Sequence, residues 1–309
     1  KDGDTLWRMS IVPKDEEDSG AVGGGLAYAS GRLYATSGYK YLSAINTEAG
    51  AKLPKTKLPS PARSAPTVMD ERVYVITLDN RLMVFTTTDG TPIWNYAGVS
   101  ETTNLLGSAA PAVDSNLVVL PLSSGELFGL RPENGRIVWE DNLSAVRRTG
   151  ALGAIADIRG LPVIDQGVVY AVSYSGRLVA LEQATGQRLW QRELGSAEMP
   201  WAAGDTLFIV TSEQQLVALT RQSGEIFWVT SLERFEGRKR DIPVVWTGPI
   251  LAGGRLITVS SAGDMLEIDP QSGKVLRTQD IGQSFTIQPL VAAGTLLTLD
   301  QDGTLTAWR

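Results

Sequence analysis

The sequence predicts an all-β protein, a β-propeller of four-stranded antiparallel blades, and three observations carry that prediction. A turn glycine recurs at Gly3, Gly50, Gly90, Gly135, Gly186, Gly224 and Gly273, at spacings of 38 to 51 residues, the range of a propeller blade. Tryptophan follows four residues later in five of these seven repeats, at Trp7, Trp94, Trp139, Trp190 and Trp228, while Pro54 and Arg277 take that place in the other two. Proline precedes five of the glycines by 24 residues, at Pro66, Pro111, Pro162, Pro200 and Pro249. Unrelated hairpins in a sandwich would not hold one offset five times.

Each strand follows from its residues. The proline cannot donate to a β-ladder, so it belongs at a strand start or on an edge, which in a blade is the first strand, beside the central channel. The next residues read strand, turn, strand, turn, strand. In PVIDQGVVYAVSYSGRLVAL, Pro162 to Leu181, the breaks fall at Asp165-Gln166-Gly167 and at Ser175-Gly176. The apolar runs are nearly continuous instead of alternating, as expected of sheets covered on both faces. The turn glycine then opens the outer strand, whose tryptophan is expected to lock neighbouring blades by burying its ring rather than to stack on a ligand.

The two ends of the chain are incomplete repeats. Pro289 starts a unit whose glycine would fall beyond Arg309, so that unit ends after its third strand, at Trp308. KDGDTLW, Lys1 to Trp7, reads as the turn and outer strand of a blade lacking its first three strands. One reading is a truncated eight-bladed parent. The other has Thr5 to Ile11 pair with the last unit and close a seven-bladed ring, which removes open edges. The Asp-Gly-to-Trp phrase belongs to an internal blade and favours the first. Either way, residues 1–309 form a single propeller domain.

Composition narrows the chemistry. The 309 residues are 43% hydrophobic and 20% charged, the balance of a folded protein longer than one compact core supports. A net charge of −6 weighs against nucleic acid or an anionic membrane surface as partner. Cysteine and histidine are both absent, which removes disulfides, thiol nucleophiles, Cys/His metal centres and histidine triads. Serine and aspartate are plentiful, yet no closely spaced carboxylate pair has a reason to be buried. No catalytic residue, cofactor or metal is assigned. No run of about 18 apolar residues exists to form a spanning helix, and any signal or anchor segment would lie upstream of Lys1.

Length variation points to a face. From the tryptophan position to the next proline the chain takes 17, 23, 10 and 21 residues (94 to 111, 139 to 162, 190 to 200 and 228 to 249). These connections all emerge on one side of the ring, and insertions confined to one side of a repeat protein mark its binding face. The three long ones are Val99 to Pro111, Ser144 to Pro162 and Ser231 to Pro249. Leu105, Leu106, Leu152 and Ile155 place bulky apolar groups in them, either as a protein-contact patch or as a buried cap on the channel mouth. Arg238-Lys239-Arg240, set among Glu233, Glu236 and Asp241, and KDEED (Lys14 to Asp18) read as solvated loops.

GVVYAVSYSGRLVALEQATGQRLWQRELGS (Gly167 to Ser196), LFIVTSEQQLVALTRQSGEIFW (Leu207 to Trp228) and DGTLTAW (Asp302 to Trp308) resemble the quinoprotein-like propeller repeats. More narrowly, the chain resembles the BamB lipoprotein family of the outer-membrane β-barrel assembly machinery. That resemblance implies an eight-bladed periplasmic scaffold, lipid-anchored at its N-terminus, that binds the periplasmic repeats of the barrel-inserting subunit and helps insert nascent outer-membrane proteins. The family's contacts lie in two neighbouring connections. Its Leu-x-Leu-Arg segment falls on Thr103, Leu105 and Leu106, where only the second leucine is retained and the arginine is lost. Its Asp-x-Asp falls on Asp157 and Arg159, where the first aspartate is kept and the second is arginine. Two other classes share the fold. A quinone-dependent dehydrogenase would need adjacent cysteines over its cofactor and a calcium held by carboxylate and amide oxygens, and the sequence has neither pattern. A sensor binding a small ligand in the central channel is neither supported nor excluded.

Overall fold

The computed structural model describes residues 4–13, 24–62, 64–99, 109–144, 157–237 and 241–308. They form seven antiparallel blades in the order expected. Blade 1 contains β1 (Gly24–Ala29), β2 (Arg32–Ser37), β3 (Tyr41–Asn46) and an outer strand split into β4 (Ala51–Lys52) and β5 (Thr56–Lys57). Blade 2 is β6 (Thr67–Met69), β7 (Arg72–Thr77), β8 (Arg81–Thr86) and β9 (Pro92–Ala97). Blade 3 is β10 (Ala112–Val113), β11 (Val118–Pro121), β12 (Glu126–Leu130) and β13 (Ile137–Asn142). Blade 4 is β14 (Val163–Asp165), β15 (Val168–Val172), β16 (Leu178–Glu182) and β17 (Arg188–Arg192). Blade 5 is β18 (Trp201–Ala203), β19 (Thr206–Val210), β20 (Gln215–Thr220) and β21 (Ile226–Ser231). A separate hairpin, β22 (Phe235–Glu236) and β23 (Ile242–Pro243), precedes blade 6, which is β24 (Trp246–Ala252), β25 (Arg255–Ser260), β26 (Asp264–Ile268) and β27 (Val275–Asp280). Blade 7 has three strands, β28 (Leu290–Ala292), β29 (Thr295–Leu299) and β30 (Leu305–Trp308).

The continuous apolar runs are explained by where successive side chains go. On β15, Val169 and Ala171 pack toward blade 3 with Val119, Leu127 and Trp139. Tyr170 and Val172 pack toward blade 5 with Leu207, Ile209 and Leu219. Odd and even residues both enter a core because the sheet has a neighbour on each side. Every junction from blade 1–2 to blade 6–7 has such a cluster.

The glycine-to-tryptophan phrase is a lock between consecutive blades. Trp94, Trp139, Trp190 and Trp228 each lie on the turn glycine of the following blade, namely Gly135, Gly186, Gly224 and Gly273. Each indole N–H donates to the carbonyl three residues before that glycine, at Pro132, Gln183, Arg221 and Pro270. Trp7 makes the same contact with Gly50 and donates to Thr47, so residues near it occupy the outer-strand position beside blade 1. Where Pro54 replaces the tryptophan, Thr56 packs on Gly90 and donates to its carbonyl.

Two details differ from the sequence reading. Pro66, Pro111, Pro162, Pro200 and Pro289 immediately precede their inner strands, but Pro249 lies inside β24, after a cis Gly248–Pro249 bond. The pairing of β24 with β25 shifts register between Thr247 and Ile250, which spares the ladder the missing amide. The third long connection, expected as loop, contains the β22–β23 hairpin, with Arg238 to Arg240 outside the described residues.

Candidate functional site

Because every blade runs antiparallel, each outer strand ends on the side where the next inner strand begins, so the connections share one face. Buried polar groups fix their bases. In the first, the Gly98 amide donates to the Asn80 carbonyl at 2.9 Å and the Asn80 side-chain amide donates to the Val99 carbonyl at 2.7 Å. Asn80 is buried, at positive φ, and its Oδ1 accepts from the Ser123 hydroxyl of blade 3. One asparagine therefore ties the loop to two blades. Val99 beyond it is 66% exposed, and the expected contact residues Thr103, Leu105 and Leu106 lie outside the described residues, as do Leu152 and Ile155.

The second connection is held at both ends by one turn of blade 4. The Ser173 hydroxyl donates to the Leu143 carbonyl at 2.9 Å, and the Tyr174 amide donates to the Asp157 carbonyl at 3.0 Å. The two residues onto which the family's contacts fall there differ in exposure. Asp157 is only 3% exposed and Ile158 belongs to the blade 3–4 core, whereas Arg159 points outward. Gly160 behind it is tight, since a Cβ there would lie 2.5 Å from the Glu198 carbonyl oxygen.

Glu198, in the short connection between blades 4 and 5, has no counterpart in the sequence reading. Its Oε2 accepts from the Thr247 hydroxyl at 2.6 Å and from the Gly248 amide at 3.3 Å. Burial pushes its carboxyl above the ordinary range, opposed by those two hydrogen bonds and by the nearby charge of Arg159. Glu198 thus joins the blade 4–5 connection to blade 6 underneath the Arg159 segment. Nothing in the local sequence flags it, because its partners lie about fifty residues away.

The third connection stands on Trp246, whose indole donates to the Glu233 carbonyl at 2.8 Å. The Val244 amide donates to the Arg234 carbonyl, and the Trp246 amide to Gln214 Oε1. Above this base, Phe235, Ile242 and Val245 are exposed. The face therefore offers apolar groups and an exposed arginine on rigid supports, which suits recognition of another protein. Among the described residues no group of three or more His, Cys, Asp or Glu side chains could hold a metal ion.

The family profile described as outer membrane protein assembly factor BamB matches residues 1–230 and 237–308. The BamB of Salmonella typhimurium is 30% identical over 312 residues, covering 99% of this chain and 77% of its own length. That of Escherichia coli is 28% identical over 310 residues, covering 98% and 76%. Among solved structures, BamB from Moraxella catarrhalis superposes with a TM-score of 0.82 over 94% of this chain and 85% of its own, at 23% identity. A europium-containing methanol dehydrogenase superposes with a TM-score of 0.69 over 92% and 76%, at 11% identity, a likeness of fold alone. With a profile match running through all seven blades and an identity of 30% over almost the whole length, the chain belongs to the outer membrane protein assembly factor BamB family.

Proposed function

We propose that the chain is a non-catalytic scaffold of outer-membrane protein assembly. It works in the periplasm at the inner leaflet of the outer membrane, held by a lipid anchor upstream of Lys1, as a monomer within a complex. Its loop face docks the periplasmic repeats of the barrel-inserting subunit, with nascent outer-membrane proteins as further clients. The observation that carries this reading is the contrast within that face. Buried Asn80, Ser173 and Trp246, with half-buried Glu198, fix the bases of the connections, while Val99, Arg159, Leu161, Ile242 and Val245 stand exposed above them. The names of the relatives support the assembly role.

The same reading extends to the ring. Leu26 and Tyr28 on β1 are 62% and 67% exposed, and Leu290 and Val291 on β28 are 52% and 48% exposed, although these are inner strands. Flanks of that kind fit a parent with one further blade between blades 7 and 1.

The docking test is capture by the immobilised periplasmic repeats of the barrel-inserting subunit. Arg159→Glu combined with Leu105→Asp is expected to weaken capture at least about tenfold, the loss of a modest hot spot. Asp157 is left unchanged because burial would confound contact with folding. Undiminished capture by the double variant removes this face from the reading.

A further inference from the structure

Outer strands are exposed edges, and an edge with free backbone groups is a template for another strand unless charge, proline or irregularity blunts it. Five of the six outer strands in the blades described here are blunted. The split β4 and β5 carry Lys52 and Lys57 around Pro54. β9 begins with Pro92, β13 contains Glu140 and Asp141, β17 contains Arg188 and Arg192, and β27 contains Arg277 and Asp280. β21 reads Ile-Phe-Trp-Val-Thr-Ser, with neither charge nor proline over six residues.

The position after the tryptophan sharpens the contrast. It is Arg8, Asn95, Glu140 and Gln191 in the other tryptophan-bearing repeats, and Thr278 after Arg277, but Val229 in β21. Ile226, Phe227 and Val229 are 49%, 61% and 47% exposed. Trp228 and Thr230 face blade 6, bonded to Pro270 and Gly273, and β21 pairs with β20 alone among the described residues. On the rim, the other neutral edge among the described residues is β30, which has four residues and is the third strand of its sheet, while neutral inner strands such as β1 lie beside the central channel.

Two clefts meet at this edge. One, of about 650 Å³, lies between blades 4 and 5 and is lined by Val168, Tyr170, Leu189, Arg221 and Phe227. The other, of about 400 Å³, lies between blades 5 and 6 and is lined by Phe208, Phe227, Trp228, Leu251 and Pro270. Arg221 offers no free charge, since it donates to Tyr170 and Gly204 and pairs with Asp165. Side chains of an added strand point alternately to the two faces of its sheet, and here one face opens onto the mainly apolar blade 5–6 cleft and the other onto a cleft that is also lined by Gln166, Asp205 and Gln222.

We propose that β21 is a strand-capture site, where an extended, uncharged segment rich in β-branched and aromatic residues, such as an unpaired strand of an unfolded β-protein, adds to blade 5 by backbone pairing. A neutral edge in a chain of net charge −6 suits a neutral guest. The site lies on the outer rim of blade 5 and uses none of the docking residues of the loop face, so either reading can fail without the other.

The test uses a capped peptide of about eight alternating valine and threonine residues, long enough to cover one strand, and a version N-methylated at every second amide. Peptide binding to the whole chain is expected to slow amide exchange at Ile226 to Ser231, and the N-methylated peptide is expected not to bind. Val229→Lys, by restoring a blunted edge, and separately Phe227→Ser, by removing the ring that lines both clefts, should each weaken binding roughly tenfold, while Leu276→Lys on β27 leaves it unchanged. Three results overturn the proposal. They are equal binding by both β21 variants, protection confined to other strands, and a dimer of this chain, lost in Val229→Lys, that already fills the edge.

Discussion

At the scale of single residues, the turn glycine is required by two separate demands. Gly224 has φ +69°, and a Cβ there would sit 2.7 Å from the Trp190 ring of the preceding blade. That ring cannot retreat, being 7% exposed and hydrogen-bonded to the Arg221 carbonyl. Left-handed backbone costs an L-residue about 1–2 kcal/mol, and overpacking adds about 1–3 kcal/mol. Gly224→Ala is therefore expected to lower stability by about 2–5 kcal/mol in urea unfolding, and a loss below about 1 kcal/mol would show that the lock is soft. Glu198 makes a prediction about pH. Burial raises its carboxyl above the ordinary 4.5, so the folded state holds the proton more tightly than the unfolded one. Its contribution to stability is then greatest at low pH and falls as pH rises from about 4.5 through the folded-state value. Glu198→Gln keeps an oxygen acceptor for Thr247 and cannot ionise. Relative to wild type, it should gain stability between about pH 4.5 and neutrality, read from paired urea midpoints. A gap that stays constant or narrows would mean that the carboxylate is well solvated.

At the scale of elements, the blades were legible because their signals are local and repeated. Gly-to-Trp offsets, proline positions and turn pairs such as Ser175-Gly176 each lie within one unit. The loop face was legible only as length. Its supports cross between units: Asn80 reaches Ser123, Ser173 reaches Leu143, and Thr247 reaches Glu198. No periodicity encodes such pairs. The same limit explains Asp157, whose motif position suggested a contact while tertiary packing buries it. The β22–β23 hairpin was missed because each arm has only two residues, shorter than any alternation can reveal. Its stability comes from Trp246 underneath. Removing the indole N–H with Trp246→Phe leaves the Glu233 carbonyl without that donor and should cost roughly 1 kcal/mol. Amide exchange at Val244, which donates to Arg234, should accelerate more than exchange in β25. Uniform acceleration would place the hairpin inside the global unfolding unit instead of above it.

At the scale of the whole molecule, the junction cores set how far cooperativity extends. Each blade is held by its neighbours, as in other repeat proteins where nearest-neighbour interfaces supply most of the stability. Val118, fully buried in the blade 2–3 cluster, contrasts with Leu26 and Leu290, which occupy inner strands yet are more than half exposed. If blades 7 and 1 packed on each other as the other pairs do, each leucine would be partly buried, like Val68 of β6 and Ile164 of β14, and a charge there would be costly. The exposures argue otherwise. Leu26→Lys and Leu290→Lys should each change the stability of this chain by no more than about 0.5 kcal/mol, the usual range for surface substitutions. Val118→Lys buries an unpaired charge and should cost several kcal/mol or abolish folding. Urea unfolding of the three variants reads the difference directly. Should Leu26→Lys and Leu290→Lys both cost more than about 2 kcal/mol, the flanks meet in solution and the ring closes on seven blades. Should both be silent here but costly in a longer form of the protein, the flanks are the seats of one more blade.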